Sequence, residues 1–230
     1  MRTTGQGFAD RTAAGRELAS AILKLKLRSP MLVLGLPRGG VPVAYEVARA
    51  LRAPLDVLVV RKIGMPGQPE LAIGAIASGG ITVREPDSGL RFAGLDIPFE
   101  QIAQRERAEL ERRERAYRAG LPPLDLRGQT VVLVDDGLAT GATMVAAVRA
   151  ARQADAASVV VAAPVASEEA ARLVRAEADE VAILEVSAFL FSISTWYANF
   201  EQLEDEGVRA LLERARHTEL APVPPAKGTA

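Results

Sequence analysis

Thr130-Val-Val-Leu-Val-Asp-Asp-Gly-Leu-Ala-Thr-Gly-Ala-Thr143 is the stretch on which the reading of this chain turns. Five residues rich in Val and Leu make a buried strand. Two adjacent carboxylates close it, and a loop carrying Gly137, Thr140, Gly141 and Thr143 leads into helix-forming Met144 to Arg152. At such a junction the first amides of the helix have no intrahelical partner and lie at the positive end of the helix dipole, so an anion can collect several N–H bonds there. The Thr140 and Thr143 hydroxyls can donate to the same anion. Asp135 and Asp136 stand just before this cradle and are too acidic to belong to it, so they call for sugar hydroxyls or a hydrated cation.

A five-carbon sugar phosphate supplies both requirements, a terminal phosphate for the loop and vicinal hydroxyls for the carboxylates. The same residues admit plainer readings. Two aspartates ending a strand can be turn formers or helix caps, and Val-Leu-Val-Asp-Asp also occurs in the first strand of receiver domains. A receiver has no use for the Thr-Gly-Ala-Thr that follows here, and no further Asp closes a strand at the right distance.

The 230 residues suffice for one domain with elaborations. With 49% hydrophobic and only 4% aromatic residues, the core has to be built from Ala, Val and Leu. A net charge of −1 argues against general nucleic-acid binding. The absence of cysteine excludes disulfides and thiolate metal sites. No apolar run approaches a membrane span and the N-terminus shows no signal pattern, so a cytoplasmic location without membrane contact is expected.

Working outward, Gly15 to Leu27 has helical periodicity, with Asp10 or Thr12 as cap. Met31 to Leu36 is a short strand that runs into Pro37-Arg-Gly-Gly-Val-Pro42 and a helix from Val43 to Arg52. Gly39 and Gly40 permit unusual dihedrals and close ligand approach, and Arg38 places a fixed charge at the strand end; a tight turn is the competing reading. Leu55 to Val60 is the next strand, followed by Arg61-Lys-Ile-Gly-Met-Pro-Gly-Gln-Pro-Glu70, read as a loop whose Arg61 and Lys62 meet an anion. Leu71 to Ser78 and Ile81 to Arg84 form a hairpin around Gly79-Gly80. Residues 86–97 are irregular, and Pro98 to Arg118 is a charged helix whose Glu and Arg spacings indicate local ion pairs.

Beyond the central unit, Ser158 to Val165 and Val181 to Val186 are strands, with helices at Glu168 to Glu177 and Glu204 to Arg216. Strand and helix alternate, which predicts an α/β fold: a mostly parallel central sheet flanked by helices on both faces, with right-handed crossovers. Ligands in such sheets collect beyond the carboxyl ends of the strands. Phe189 to Phe200 holds half of the aromatics. It reads as a cap that stacks on a planar acceptor, or as a satellite core or dimer contact. The expected organisation is one domain over residues 1–220, with a hairpin and charged-helix elaboration at about 71–120, a C-terminal cap at about 187–216, and a disordered tail at 221–230.

Val134-Asp-Asp-Gly-Leu-Ala-Thr-Gly-Ala-Thr143 closely resembles the phosphoribosyl-pyrophosphate (PRPP) motif of the type I phosphoribosyltransferases. Gly137 departs from it, standing where that family usually has a branched apolar residue. The chain from about 5 to 215 looks most like a bacterial phosphoribosyltransferase-like branch with no known acceptor. The resemblance implies that Gly137, Leu138, Ala139, Thr140, Gly141, Ala142 and Thr143 hold the 5-phosphate. Arg38, Gly39 and Gly40 are similar to the pyrophosphate loop of purine-type relatives, where the peptide is often strained or cis. Arg61 and Lys62 resemble the Arg-Lys segment of adenine-type relatives, which also holds pyrophosphate and can close as a lid.

By the same resemblance Asp135, Asp136, Arg38 and Lys62 carry catalysis; if the aromatic segment is a cap rather than a satellite core or dimer contact, Trp196 and Tyr197 are the residues that stack on the acceptor. Mg²⁺ is implied as cofactor, reaching Asp135 and Asp136 through ribose hydroxyls or water. The implied reaction moves the 5-phosphoribosyl group of PRPP onto a nitrogenous base with release of pyrophosphate, within nucleoside metabolism, in a homo-oligomer, most simply a dimer. Ala139 stands where 6-oxopurine enzymes have an Asp facing the purine, which disfavours hypoxanthine or guanine as acceptor. A PRPP-sensing regulator and a Mg²⁺-dependent sugar-phosphate hydrolase are the alternatives from other classes.

Overall fold

A computed structural model describes residues 7–65, 68–84 and 99–219. The expected irregular segment at 86–97 and the tail at 221–230 lie outside these. Five parallel strands form the main sheet: β1 (Met31–Gly35), β2 (Leu55–Val57), β6 (Thr130–Val134), β7 (Ser158–Ser167) and β8 (Glu180–Ser187), in the order β2-β1-β6-β7-β8. The register pairs Leu32 with Val131 and Val131 with Val159.

Both faces of the central strands are apolar, as a sheet covered on both sides requires. On one face Val33, Val132, Val134 and Val160 pack with α1 (Arg11–Ile22), α2 (Gly40–Leu51) and α6 (Asp205–Glu219). On the other, Leu34, Val131, Leu133 and Val161 pack with α4 (Ala142–Gln153) and α5 (Glu168–Glu177). Asp10 caps α1 by accepting a hydrogen bond from the Ala13 amide at 2.7 Å. Gly15 lets α1 lie hard against α2, since a Cβ there would sit 2.9 Å from the Val43 carbonyl oxygen.

The chain leaves β1 through α2 on one face toward β2, and leaves β6 through α4 on the opposite face toward β7. The strand order therefore reverses between β1 and β6, which opens a crevice beyond their carboxyl ends. This is the placement expected for a ligand site.

The segment after β2 departs from expectation. The predicted strand Leu55 to Val60 divides at Leu58-Val59, where the Val59 amide donates to the Ser78 hydroxyl at 3.0 Å and the Val59 carbonyl accepts from the Ser78 amide at 2.9 Å. The chain then enters a second, antiparallel sheet of β3 (Val60–Met65), β4 (Gln68–Ala77) and β5 (Ile81–Arg84), in the order β3-β4-β5. Arg61 and Lys62, expected in a loop, are strand residues opposite Ile76 and Ala75, and the ladder becomes irregular only around Gly64. Their charge hid a strand that has one packed face. This sheet packs on α4 and is also covered by α3 (Phe99–Arg118).

Candidate functional site

Asp135 and Asp136 follow β6 at the crevice. Asp136 is held from several sides. Its Oδ2 accepts from Arg11 Nε at 2.8 Å, with both side chains only 13–14% exposed, and its carbonyl oxygen accepts from the Tyr197 hydroxyl at 2.5 Å. Its carboxylate also fills the space where a Cβ of Gly39 would stand. Asp135 turns inward and accepts the Asp136 amide at 2.8 Å. Burial, followed by the charge of Asp136, pushes the Asp135 carboxyl well above the usual carboxylate range.

The glycines of the Arg38-Gly39-Gly40 turn are thus required by protein atoms. Gly39 has φ −61°, an ordinary value, so left-handed geometry is not its reason. It is small because Asp136 is there, and Gly40 because a Cβ would come 2.5 Å from the Val134 carbonyl oxygen and 2.9 Å from Asp135 Cα. The two turns that end β1 and β6 interlock. The Pro37–Arg38 peptide bond is cis, as the family resemblance implied. Arg38 reaches to the start of α6, with Glu204 at 3.3 Å and Asp205 at 4.0 Å. Asp205 in turn accepts the Tyr117 hydroxyl at 2.7 Å. Burial first, then this bond, raises the Tyr117 phenol to about 12.

The loop after the acid pair lies along the end of β7. Leu138 is buried and bridged to Ala166, and the Ala139 carbonyl accepts the Ser167 hydroxyl at 2.7 Å. Gly141 begins α4 at φ +76°, a left-handed conformation suited to glycine, and packs against Ala170. Ala139, Thr140, Ala142 and Thr143 are exposed around the N-terminus of α4. Thr140 Oγ1 accepts the Ala142 amide only at 3.4 Å. Gly137, the departure from the family pattern, has a local cause: a Cβ would lie 2.5 Å from Ile193 Cδ1 and 2.6 Å from Ile193 Cγ2. The branched apolar group at this spot is supplied by a different part of the chain.

Other expected residues fall elsewhere. Arg61 is turned to α3, ion-paired with Glu106 at 2.5 Å and near Glu109 at 3.9 Å, so its place is explained by protein carboxylates. Lys62 lines a cavity of about 250 Å³ between the second sheet and α4, with Ala142, Val145 and Arg149. Tyr197 is 6% exposed, its ring 5.6 Å from Phe8 and 5.1 Å from Phe200. The satellite-core reading of this segment therefore describes Tyr197, whose faces are occupied by protein; the aromatics that stand free are Phe189 and Phe191, the latter 93% exposed.

Sequence reasoning missed Arg11, Ile193 and the Glu204–Asp205 partners of Arg38. Arg11 did leave a signal, since a cation at the first position of a helix opposes the dipole and has no acid in that first turn. Among the described residues no group of three or more His, Cys, Asp or Glu could hold a metal ion, and no helix is long and apolar enough to cross a membrane.

The fold is α/β, with an acid pair interlocked with an Arg-Gly-Gly turn at the switch point of its parallel sheet, beside the exposed N-terminus of α4. The chain belongs to the phosphoribosyl transferase domain family, whose profile matches residues 9–199. Two relatives from Mycobacterium tuberculosis, of strains CDC 1551 and H37Rv, are named provisionally as phosphoribosyl transferases. Each is 46% identical over 209 residues, 90% of this chain and 47% of theirs. The chain spans about half the length of these curated relatives. The crystal structure of TT1426 from Thermus thermophilus is similar at a TM-score of 0.83 and 45% identity, over 91% of this chain and 99% of that one. The expected α/β architecture, a five-stranded parallel sheet with helices on both faces, is the observed one.

Proposed function

We propose that this chain binds PRPP and transfers its 5-phosphoribosyl group to a nitrogenous acceptor with release of pyrophosphate. One observation carries the reading: Asp135-Asp136 and Arg38-Gly39-Gly40, 96 residues apart between Asp135 and Gly39, are locked together at one crevice beside the exposed N-terminus of α4. That arrangement supports a ligand with a terminal phosphate at one end, vicinal hydroxyls in the middle and a diphosphate near Arg38.

In this reading the amides of α4, with Thr140 and Thr143, hold the 5-phosphate. The carboxylates accept the ribose hydroxyls, and Arg38 disperses charge on the departing pyrophosphate. The C1–O bond breaks with its electron pair going to pyrophosphate as the acceptor nitrogen bonds to C1. With Asp136 paired to Arg11 and Asp135 drawn toward its neutral form, the two carboxylates do not make a metal cage. They fit Mg²⁺ only through sugar hydroxyls or water, and the ion would supply charge neutralisation on the diphosphate. Ala139 offers no acid–base group to a purine, which supports an acceptor other than a 6-oxopurine.

Calorimetry with PRPP, ribose 5-phosphate and pyrophosphate, with and without Mg²⁺, followed by pyrophosphate release across a panel of bases, tests this. PRPP should bind more tightly than either part and turn over with one class of base. Tight binding without turnover with any base would favour a sensor, and no preference for PRPP would overturn the reading.

A further inference from the structure

The Arg11–Asp136 contact joins residues 125 positions apart. Arg11 is held from several sides. The Phe8 amide donates to the Trp196 carbonyl at 2.6 Å, and the Ala198 and Asn199 amides donate to the carbonyls of Phe8 and Ala9 at 2.8 Å each. The segment before α1 is thereby tied to the segment after Trp196. The guanidinium lies 3.7 Å from the centre of the Phe200 ring and donates through Nη1 to the Glu201 carbonyl at 2.8 Å. A cation at the first position of α1 works against the helix dipole, and a lysine would offer neither the flat stacking surface nor the fork. Helix stability does not account for an arginine here, whereas the carboxylate it grips does.

We infer that Arg11 is a positioning residue of the ribosyl site: stacked on Phe200 and anchored to Glu201, it binds Oδ2 of Asp136 and thereby presents Oδ1 to the vicinal hydroxyls of the sugar. The inference rests on the ribosyl reading given above. Asp136 then has one fixed rotamer, gripped by Arg11 at its carboxylate, backed by Gly39 and held by Tyr197 at its carbonyl. Residues 196–201, which lie past the last strand, act on the sugar through Arg11 rather than by touching it.

The test compares ribose 5-phosphate with 2-deoxyribose 5-phosphate by calorimetry in the full chain, in Arg11→Met and in Arg11→Lys. The wild-type protein should prefer the ribose compound. Arg11→Met, which keeps an apolar stack on Phe200, should lose roughly 10- to 100-fold in ribose 5-phosphate affinity, the scale of a charge-assisted hydrogen bond. Its affinity for the deoxy compound should change far less, so the preference collapses, and Arg11→Lys should not restore it. Binding of the deoxy compound shows that a variant is folded. An unchanged preference in Arg11→Met would overturn the inference. So would tighter binding, which would make Arg11 an occluding group, or full rescue by lysine, which would reduce its role to charge alone. If the wild-type chain binds neither compound, the ribosyl reading itself fails, a result separate from any effect of Arg11.

Discussion

Gly137 carries a prediction about packing that reaches the site. A Cβ at this position would stand 2.5 Å from Ile193 Cδ1, 2.6 Å from Cγ2 and 3.1 Å from Cγ1. Rotation about χ2 can remove the Cδ1 contact alone, because Cγ1 and Cγ2 are both fixed to Cβ. Relief therefore needs a new χ1 or a shift of the turn Ile193–Trp196, at a cost of about 1–3 kcal/mol. For a domain of this size about 2 kcal/mol lowers Tm by about 4–8 °C. Ile193→Ala opens a partly exposed void and should cost about 1–2 kcal/mol. In Gly137→Ala/Ile193→Ala the new methyl occupies that void. Gly137 is not among the positive-φ glycines, so alanine also restricts the unfolded chain favourably by about 0.4–1 kcal/mol. The double variant should be no less stable than Ile193→Ala. Urea unfolding of the four proteins gives the coupling energy directly. If the single effects simply add, Ile193 is not what keeps position 137 a glycine.

Two further outcomes are expected. The Asp135 carboxyl keeps its proton in the folded chain at pH values where the unfolded chain has lost it, so the wild-type protein loses stability as pH rises from about 4 through that raised value. Asp135→Asn, which retains the oxygen that accepts the Asp136 amide, should therefore melt higher than wild type at about pH 8, with the gain shrinking toward pH 4 in thermal scans; a lower melting point at pH 8 would refute this. Thr140 is exposed and its bond to the Ala142 amide is long at 3.4 Å, so Thr140→Val should change stability by under about 0.5 kcal/mol yet weaken ribose 5-phosphate by about 5- to 10-fold in calorimetry, and unchanged affinity would remove the phosphate from this loop.

The parallel sheet was legible because β6 is a run of Val and Leu and β7 one of Val and Ala, a pattern that buried strands write plainly. The helix Glu168–Glu177 coincides with its expected bounds, since Ser167 caps it in the ordinary way, accepting from the Ala170 amide. β3 was not legible: Arg61, Lys62 and Gly64 read as a loop, and only the ladder with β4 makes them a strand. At the site, the carboxylates and glycines could be picked out from their order along the chain. The reasons for them could not. Gly39 and Gly40 are small because of Asp136 and Val134, and Gly137 because of Ile193, and each contact crosses more than 50 residues of chain.

That difference extends to the charges. Arg38 faces Glu204 and Asp205, Arg61 faces Glu106 and Glu109, and Asp136 is gripped by Arg11. Sequence order marks these side chains as charges at strand ends in want of a counter-charge, and in three dimensions the protein supplies one in each case. Under the proposed function, binding of an anionic, hydroxyl-rich ligand is an exchange of partners, and its affinity is a difference between two sets of ion pairs. The exchange is uneven across the site. Glu204 is 65% exposed, so its hold on Arg38 is weak and readily yielded to a diphosphate. Arg11 and Asp136 are largely withdrawn from water, and parting them would strand a buried charge. Under the proposed function, the Arg38 side of the crevice is the one that changes partners to take pyrophosphate, while the Arg11–Asp136 side stays as it is and receives the ribosyl hydroxyls without rearrangement.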